Sequence, residues 1–123
     1  MPVGPYSQAL LAGEWLYCSG QIPIDPSTGC MVGENDVEEQ TRQVLKNLNA
    51  VLKAAGASTS QVVKTTIYLS DLKDFGKMNA IYEETFNGSI TPARACVEVA
   101  ALPKGSQIEI DCIAWLGHNN SNT

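Results

Sequence analysis

Cationic side chains are scarce in this chain of 123 residues, where 8 Lys and Arg stand against 13 Asp and Glu for a formal net charge of −5. Binding nucleic acid takes a basic footprint that neutralises phosphates, and so few dispersed cations do not build one. Histidine is scarcer still. The only one, His118, stands in the polar run GHNNSNT, where it promises neither a dependable general base nor a metal ligand with near neighbours. The four cysteines, Cys18, Cys30, Cys96 and Cys112, are spaced by 12, 66 and 16 residues with no C-x-x-C pair. That spacing predicts no metal site, and in a reducing compartment it predicts small buried thiols, Cys18 and Cys112 above all because they lie in strand-like runs. No window approaches the roughly 18–20 continuous apolar residues of a membrane helix. The opening MPVGPYSQALLAGEW lacks the basic region and apolar run of a secretory signal and the Arg-rich amphipathic character of a presequence, so a cytoplasmic location is expected, with no membrane partner. A G-x-S-x-G elbow and a Gly-rich phosphate loop are also missing. Any chemistry therefore falls to Arg, carboxylates, Tyr, Ser, Cys or the backbone.

What is present is an ordinary globular composition, 44% hydrophobic, in a length that suits one core. The expected organisation is a single domain over 1–116 and a polar tail over 117–123. Residues 7–11 and 14–19 read as two strands around Ala12-Gly13. The next stretch, QIPIDPSTGCMVGEN, reads as a loop from its two prolines and its glycines. Over 37–55 an amphipathic helix is predicted, with Val37, Val44, Leu45, Leu48, Val51, Leu52 and Ala55 on one face, Asp36 and Glu39 in a capping arrangement, and Gly56 as its stop. The β-branched run VVKTTIYL (62–69) predicts a strand, and Phe75, Met78, Tyr82 and Phe86 mark a second helix over roughly 74–86. Strands over 95–101 and 107–116 complete the order ββ-α-β-α-ββ, an α+β plan with two helices on one face of a mixed sheet. In the last strand Ile108, Ile110, Cys112 and Ala114 suit the helix-covered face. Glu109, Asp111, Ile113 and Trp115 fall on the other, with Tyr68 a further candidate for that uncovered face. Uncovered apolar residues there predict an obligate homo-oligomer that buries this second face.

Arg94, in TPARACVEV at the mouth of an apolar strand, is either an edge residue paired with a carboxylate or a receptor for a substrate carboxylate, which a guanidinium fork matches with two parallel hydrogen bonds. It shares parity with Cys96 and Glu98. Glu109, by alternation alone, is a solvent-facing strand residue. Closed over by a neighbouring subunit it becomes a partly buried carboxylate suited to proton transfer. Tyr6 and Ser19 carry little signal alone. Cys96 is a poor candidate nucleophile, because no histidine is at hand to activate it.

Taken together, GPYSQA (4–9), CSGQIPIDPSTG (18–29), EEQTRQVLKNLNAVLKAAGAS (38–58), VVKTTIYLSD (62–71) and PARACVEVAALPKGSQIEID (92–111) resemble the Rid family, the YjgF-type reactive-intermediate deaminases, over roughly residues 4–115. The likeness is greatest to the RidA subgroup, which keeps an Arg at the position of Arg94. It implies a chorismate-mutase-like α+β fold, a homotrimer with sites in the clefts between subunits, and hydrolysis of 2-imino acids and their enamine tautomers to 2-keto acids and ammonia without a cofactor. Carried across, it implies that Arg94 binds the substrate carboxylate and the Cys96 backbone orients the imine. It also implies that Glu109 positions and activates water, with Tyr6 and Ser19 lining the cleft. Ala101 departs from the pattern, since many bacterial members have a basic residue there. A keto-acid-binding module without turnover, and an RNA-directed activity reported for some relatives, are the competing readings.

Overall fold

A computed structural model of the chain describes residues 7–88 and 90–117; Tyr6 and His118 lie outside them. Its main sheet has five strands: β1 (Ala9–Ala12), β2 (Trp15–Gln21), β5 (Val62–Leu69), β6 (Ala93–Glu98) and β7 (Ile108–Trp115), in the spatial order β1-β2-β7-β5-β6. All pairings are antiparallel except β5 with β6. Parallel neighbours need a crossover rather than a hairpin, and α2 (Phe75–Thr85) lies in that connection. The last strand does not pair with the one before it in sequence; β7 is inserted between β2 and β5.

Helix α1 (Val37–Ala54) begins where predicted, with the Asp36 carboxylate accepting from the Glu39 N–H at 3.1 Å. It ends because Gly56 takes φ +79°. The Gly56 N–H then reaches the Lys53 carbonyl at 3.0 Å and the Ala57 N–H reaches that of Leu52 at 2.8 Å, a Schellman closure that satisfies the last carbonyls. Leu45, Leu48 and Leu52 of α1 and Met78, Ile81 and Tyr82 of α2 are buried against Leu16, Ile67, Ile110 and Cys112 of the sheet. Each large aliphatic side chain so buried contributes about 1.5–3 kcal/mol. Gln40 and Thr41 are also buried on α1, which an apolar periodicity does not announce. Thr41 donates to the Val37 carbonyl at 2.6 Å. Gln40 donates to Gln107 Oε1 at 2.9 Å and accepts from the Gln107 N–H at 2.8 Å, fixing α1 to the approach of β7.

Two expectations shift. The stretch read as loop carries a two-residue hairpin, β3 (Ile24–Asp25) with β4 (Cys30–Met31). Asp25 accepts from the Ser27 N–H at 2.9 Å, and Gly29 closes the turn at φ +73°; the same Pro and Gly that signal a loop make this turn. The strand expected over 95–101 is Ala93–Glu98 instead, because its extent follows the parallel pairing of Lys64 through Leu69 with Ala93 through Glu98.

Both helices cover one face of the sheet. The other is bare: β7 alternates between buried Ile108, Ile110, Cys112 and Ala114 and half-exposed Glu109, Asp111, Ile113 and Trp115. Register sets Leu10, Tyr17 and Ile113 in one row across β1, β2 and β7. It also places Trp15 against Trp115 with ring centroids 6.4 Å apart. Leu10 is 62% exposed, Tyr17 47% and Trp15 43%. No helix among the described residues is long and apolar enough to cross a membrane.

Candidate active site

Arg94 sits on β6, a free edge of the sheet, opposite Thr65 of β5. Thr65 is buried on the helix side, so Arg94 leans toward α2. Its guanidinium carbon lies 4.9 Å from the Tyr82 ring centroid and 5.3 Å from that of Phe75, a distance at which a cation is held by the ring faces. Arg94 Nη1 donates to Asn79 Oδ1. The platform is itself anchored, since the Tyr82 and Thr65 hydroxyls are 2.8 Å apart in the core, and burial raises the Tyr82 pKa. A guanidinium has five N–H donors. With one given to Asn79 and the side chain still exposed, donors are left for a ligand.

Cys96 follows two residues later on the same face, opposite Ile67. The Val99 N–H donates to the Leu69 carbonyl at 2.9 Å. By strand alternation the N–H and C=O groups of Arg94, Cys96 and Glu98 then point outward from the sheet edge. The Cys96 backbone is thereby available to a ligand. Its thiol is not activated: burial raises its pKa, with the Arg94 charge a smaller opposing influence.

Glu109 lies on the bare face, opposite Tyr68 of β5. Burial raises its pKa first, and the negative charge of Asp111 raises it further. On the other flank β2 bulges: Cys18 pairs with Cys112 and Gln21 with Ile110, so Ser19 and Gly20 together face Asp111. The Glu109 carboxyl lies over this bulge. A Cβ added at Gly20 would stand 2.7 Å from its carboxyl carbon, so glycine there leaves the carboxyl room for this position. Ser19 donates from its hydroxyl to the Ser7 carbonyl, and from its N–H to the Gln8 carbonyl at 2.9 Å, which ties the segment leading into β1 to the bulge.

Of the expected residues, Arg94 and Cys96 are thus together on one edge, and Ser19 and Glu109 together on the bare face. The two groups do not meet within one chain. They are on opposite faces, and β6 and β7 are separated by β5, roughly 10 Å at ordinary strand spacing. Two shallow grooves, of about 330 and 320 Å³, contain none of these four residues. Among the described residues no cluster of three His, Cys, Asp or Glu side chains could hold a metal ion. Sequence reading missed Gly20 and Asn79. Gly20 adjoins Ser19 within the recognised string CSGQ, the one signal that pointed to it, whereas Asn79 meets Arg94 only through the β5-α2-β6 crossover.

Comparison with known proteins adds a family match, a named relative and two solved structures. A family model described as Endoribonuclease L-PSP matches residues 1–116. The chain is 52% identical over 115 residues to a mouse protein named 2-iminobutanoate/2-iminopropanoate deaminase, covering 94% of this chain and 84% of that one. Among solved structures, a Rid family protein of unknown function from Yersinia pestis superposes with a TM-score of 0.90 at 54% identity, covering 93% of this chain and 90% of the other. Escherichia coli TdcF with bound serine gives 0.89 at 39% identity, covering 94% and 91%.

Proposed function

Because the chain belongs to the Endoribonuclease L-PSP family of YjgF/Rid proteins, we propose that it hydrolyses small 2-imino acids, 2-iminobutanoate and 2-iminopropanoate among them, to 2-keto acids and ammonia. The sites form between the subunits of a homotrimer. Each takes Arg94 and the Cys96 backbone from one subunit and Glu109, Gly20, Ser19 and Tyr6 from its neighbour. The observation that carries this reading is the Arg94 edge: a guanidinium stacked on anchored rings with free donors, beside an outward-facing backbone. That is a receptor for a carboxylate flanked by a polar group. The opposite-face placement of Glu109 supports a shared site, since only a second copy can present that carboxyl to this edge. The bare apolar face supports the assembly, the mouse relative's name supports the substrate class, and the serine bound to TdcF agrees with a small carboxylate ligand.

The chemistry asks little of the protein. An imine carbon is electrophilic, more so with its nitrogen protonated. Arg94 holds the carboxylate and so fixes the C=N carbon beside a water on Glu109, converting an encounter into a positioned attack. The water oxygen bonds to that carbon as Glu109 takes the water's proton. The proton then passes to nitrogen, the C–N bond breaks and ammonia leaves, and the carbonyl forms as the new hydroxyl gives its own proton to Glu109 and on to solvent, replacing the proton that activated the imine. One imine and one water give one keto acid and one ammonia. Proton-transfer help of this kind is worth ~10²–10⁴-fold, and a raised Glu109 pKa suits a base working near neutrality.

The test generates 2-iminobutanoate in situ and follows keto acid and ammonia release. An enzyme-dependent acceleration is expected, and a rate equal to the uncatalysed one overturns the reading. The family's name, Endoribonuclease L-PSP, points to RNA cleavage, but a net charge of −5 opposes polyanion binding. Salt-dependent RNA binding together with absent imine hydrolysis would favour that alternative.

A further inference from the structure

Two polar residues of the bare face have no part in the scheme above. Tyr68 stands directly across from Glu109, the place from which a hydroxyl would most simply serve that carboxyl. Its hydroxyl instead reaches diagonally and donates to Asp111 Oδ2 at 3.1 Å. A phenol has a single proton to donate. Burial, and then the Asp111 charge, raise the Tyr68 pKa, so this proton stays in place. The Glu109 carboxyl receives no hydrogen bond from the described residues and lies over the Gly20 bulge on the opposite flank.

We infer that Tyr68 and Asp111 are positioning residues for Glu109: the tyrosine fixes the aspartate, and the fixed aspartate keeps the Glu109 carboxyl turned to the β2 bulge as a base rather than an inert anion. The inference rests on the reading of Glu109 as the water-activating group. The geometry gives two carboxyls, two residues apart on one face of one strand, with unequal surroundings. One accepts from a phenol; the other has only its neighbour's negative charge and partial burial. Unequal surroundings of this kind divide a pair of acids into separate roles. The remaining groups that face Glu109 are few. From β2 come Tyr17 and Ser19, and from β5 Thr66, Tyr68 and Lys64. From β6 comes uncharged Val97, opposite Tyr68. Lys64 pairs with Ile113, four residues along β7 from Glu109, so among the described residues Asp111 is the charge that acts on Glu109. In the shared site the neighbour's Arg94 is engaged by the substrate carboxylate.

Two substitutions test this on the intact assembled protein. Carbon-13 NMR follows the titration of the Glu109 carboxyl directly, alongside kcat and KM for 2-iminobutanoate as functions of pH. In Asp111→Asn the Glu109 midpoint and the acid limb of kcat are expected to move together to lower pH. Tyr68→Phe retains the Asp111 charge and loses the tether. It is expected to lower kcat about three- to tenfold, the loss of one hydrogen bond, with KM held and the Glu109 midpoint still on the raised side. A Glu109 midpoint unchanged in Asp111→Asn overturns the inference, as does a Tyr68→Phe loss expressed wholly in KM. Should the wild-type protein show no imine hydrolysis, the proposed activity falls, while the carboxyl titration still decides whether Asp111 acts on Glu109.

Discussion

Arg94 and Glu109 belong to one sheet, and the chain supports them by opposite means. Around Arg94 everything needed to hold a cation is supplied locally: two aromatic rings beneath it, an amide beside it and a buried hydroxyl pair anchoring the platform. Around Glu109 the described residues supply space and a like charge but no donor to its carboxyl, on a face left with Trp15, Tyr17 and Leu10 in solvent. The first region is finished in a single subunit. The second is not, and under the proposed shared site a neighbouring copy supplies what it lacks.

Substitutions can break this contrast in order of size. Glu109→Gln is expected to cost most, ~10²–10⁴-fold in kcat, with KM changing little. The same variant should be more stable than wild type at neutral pH. A carboxyl whose pKa is raised by folding destabilises the native state when ionised, and that penalty disappears as pH falls through the ordinary Glu range, where it is protonated folded or unfolded. Urea midpoints at matched protein concentration should therefore differ at pH 7 and converge near pH 4. Arg94→Ala is expected to lose about 10²–10³-fold in kcat/KM, as expected for removing a charge-assisted pair. Arg94→Lys should recover little of it, because the fork is gone. Gly20→Ala pushes the Glu109 carboxyl off the bulge, and a displacement near 1 Å costs on the order of 10²-fold or less in kcat; circular dichroism should show the fold retained. Tyr82→Phe has the smallest effect, removing the bond to Thr65 for about 1 kcal/mol of stability while leaving a ring under Arg94, so thermal melting should register it more clearly than kinetics.

Local signals were the legible ones. Asp36 and Gly56 bounded α1 because a cap and a left-handed stop act within a few residues. The two faces of β7 followed from alternation alone. Where a feature depends on register between distant strands, the sequence was silent. Nothing in residues 93–115 states that β7 inserts between β2 and β5. Nor does it state that the face of Arg94 is the one opposite Glu109. The bulge at Ser19-Gly20 breaks the two-residue period by one position, so parity counted through it assigns Gln21 to the wrong face. Arg94 and Glu109 stood out from residue type and strand placement, with alternatives open, and a family likeness then implied roles for them and for Ser19 and Cys96 without geometry. The tether between Tyr68 and Asp111 came from the structure alone.

The most direct test of a shared site mixes two inactive proteins. Arg94→Ala retains Glu109 and Glu109→Gln retains Arg94, so trimers assembled from equal amounts of both contain intact sites only where an Arg94 of one subunit meets a Glu109 of another. Random assembly then restores about one quarter of wild-type imine hydrolysis. No recovery in verified mixed trimers would contradict the account, because it would place both groups in a site that one chain completes by itself.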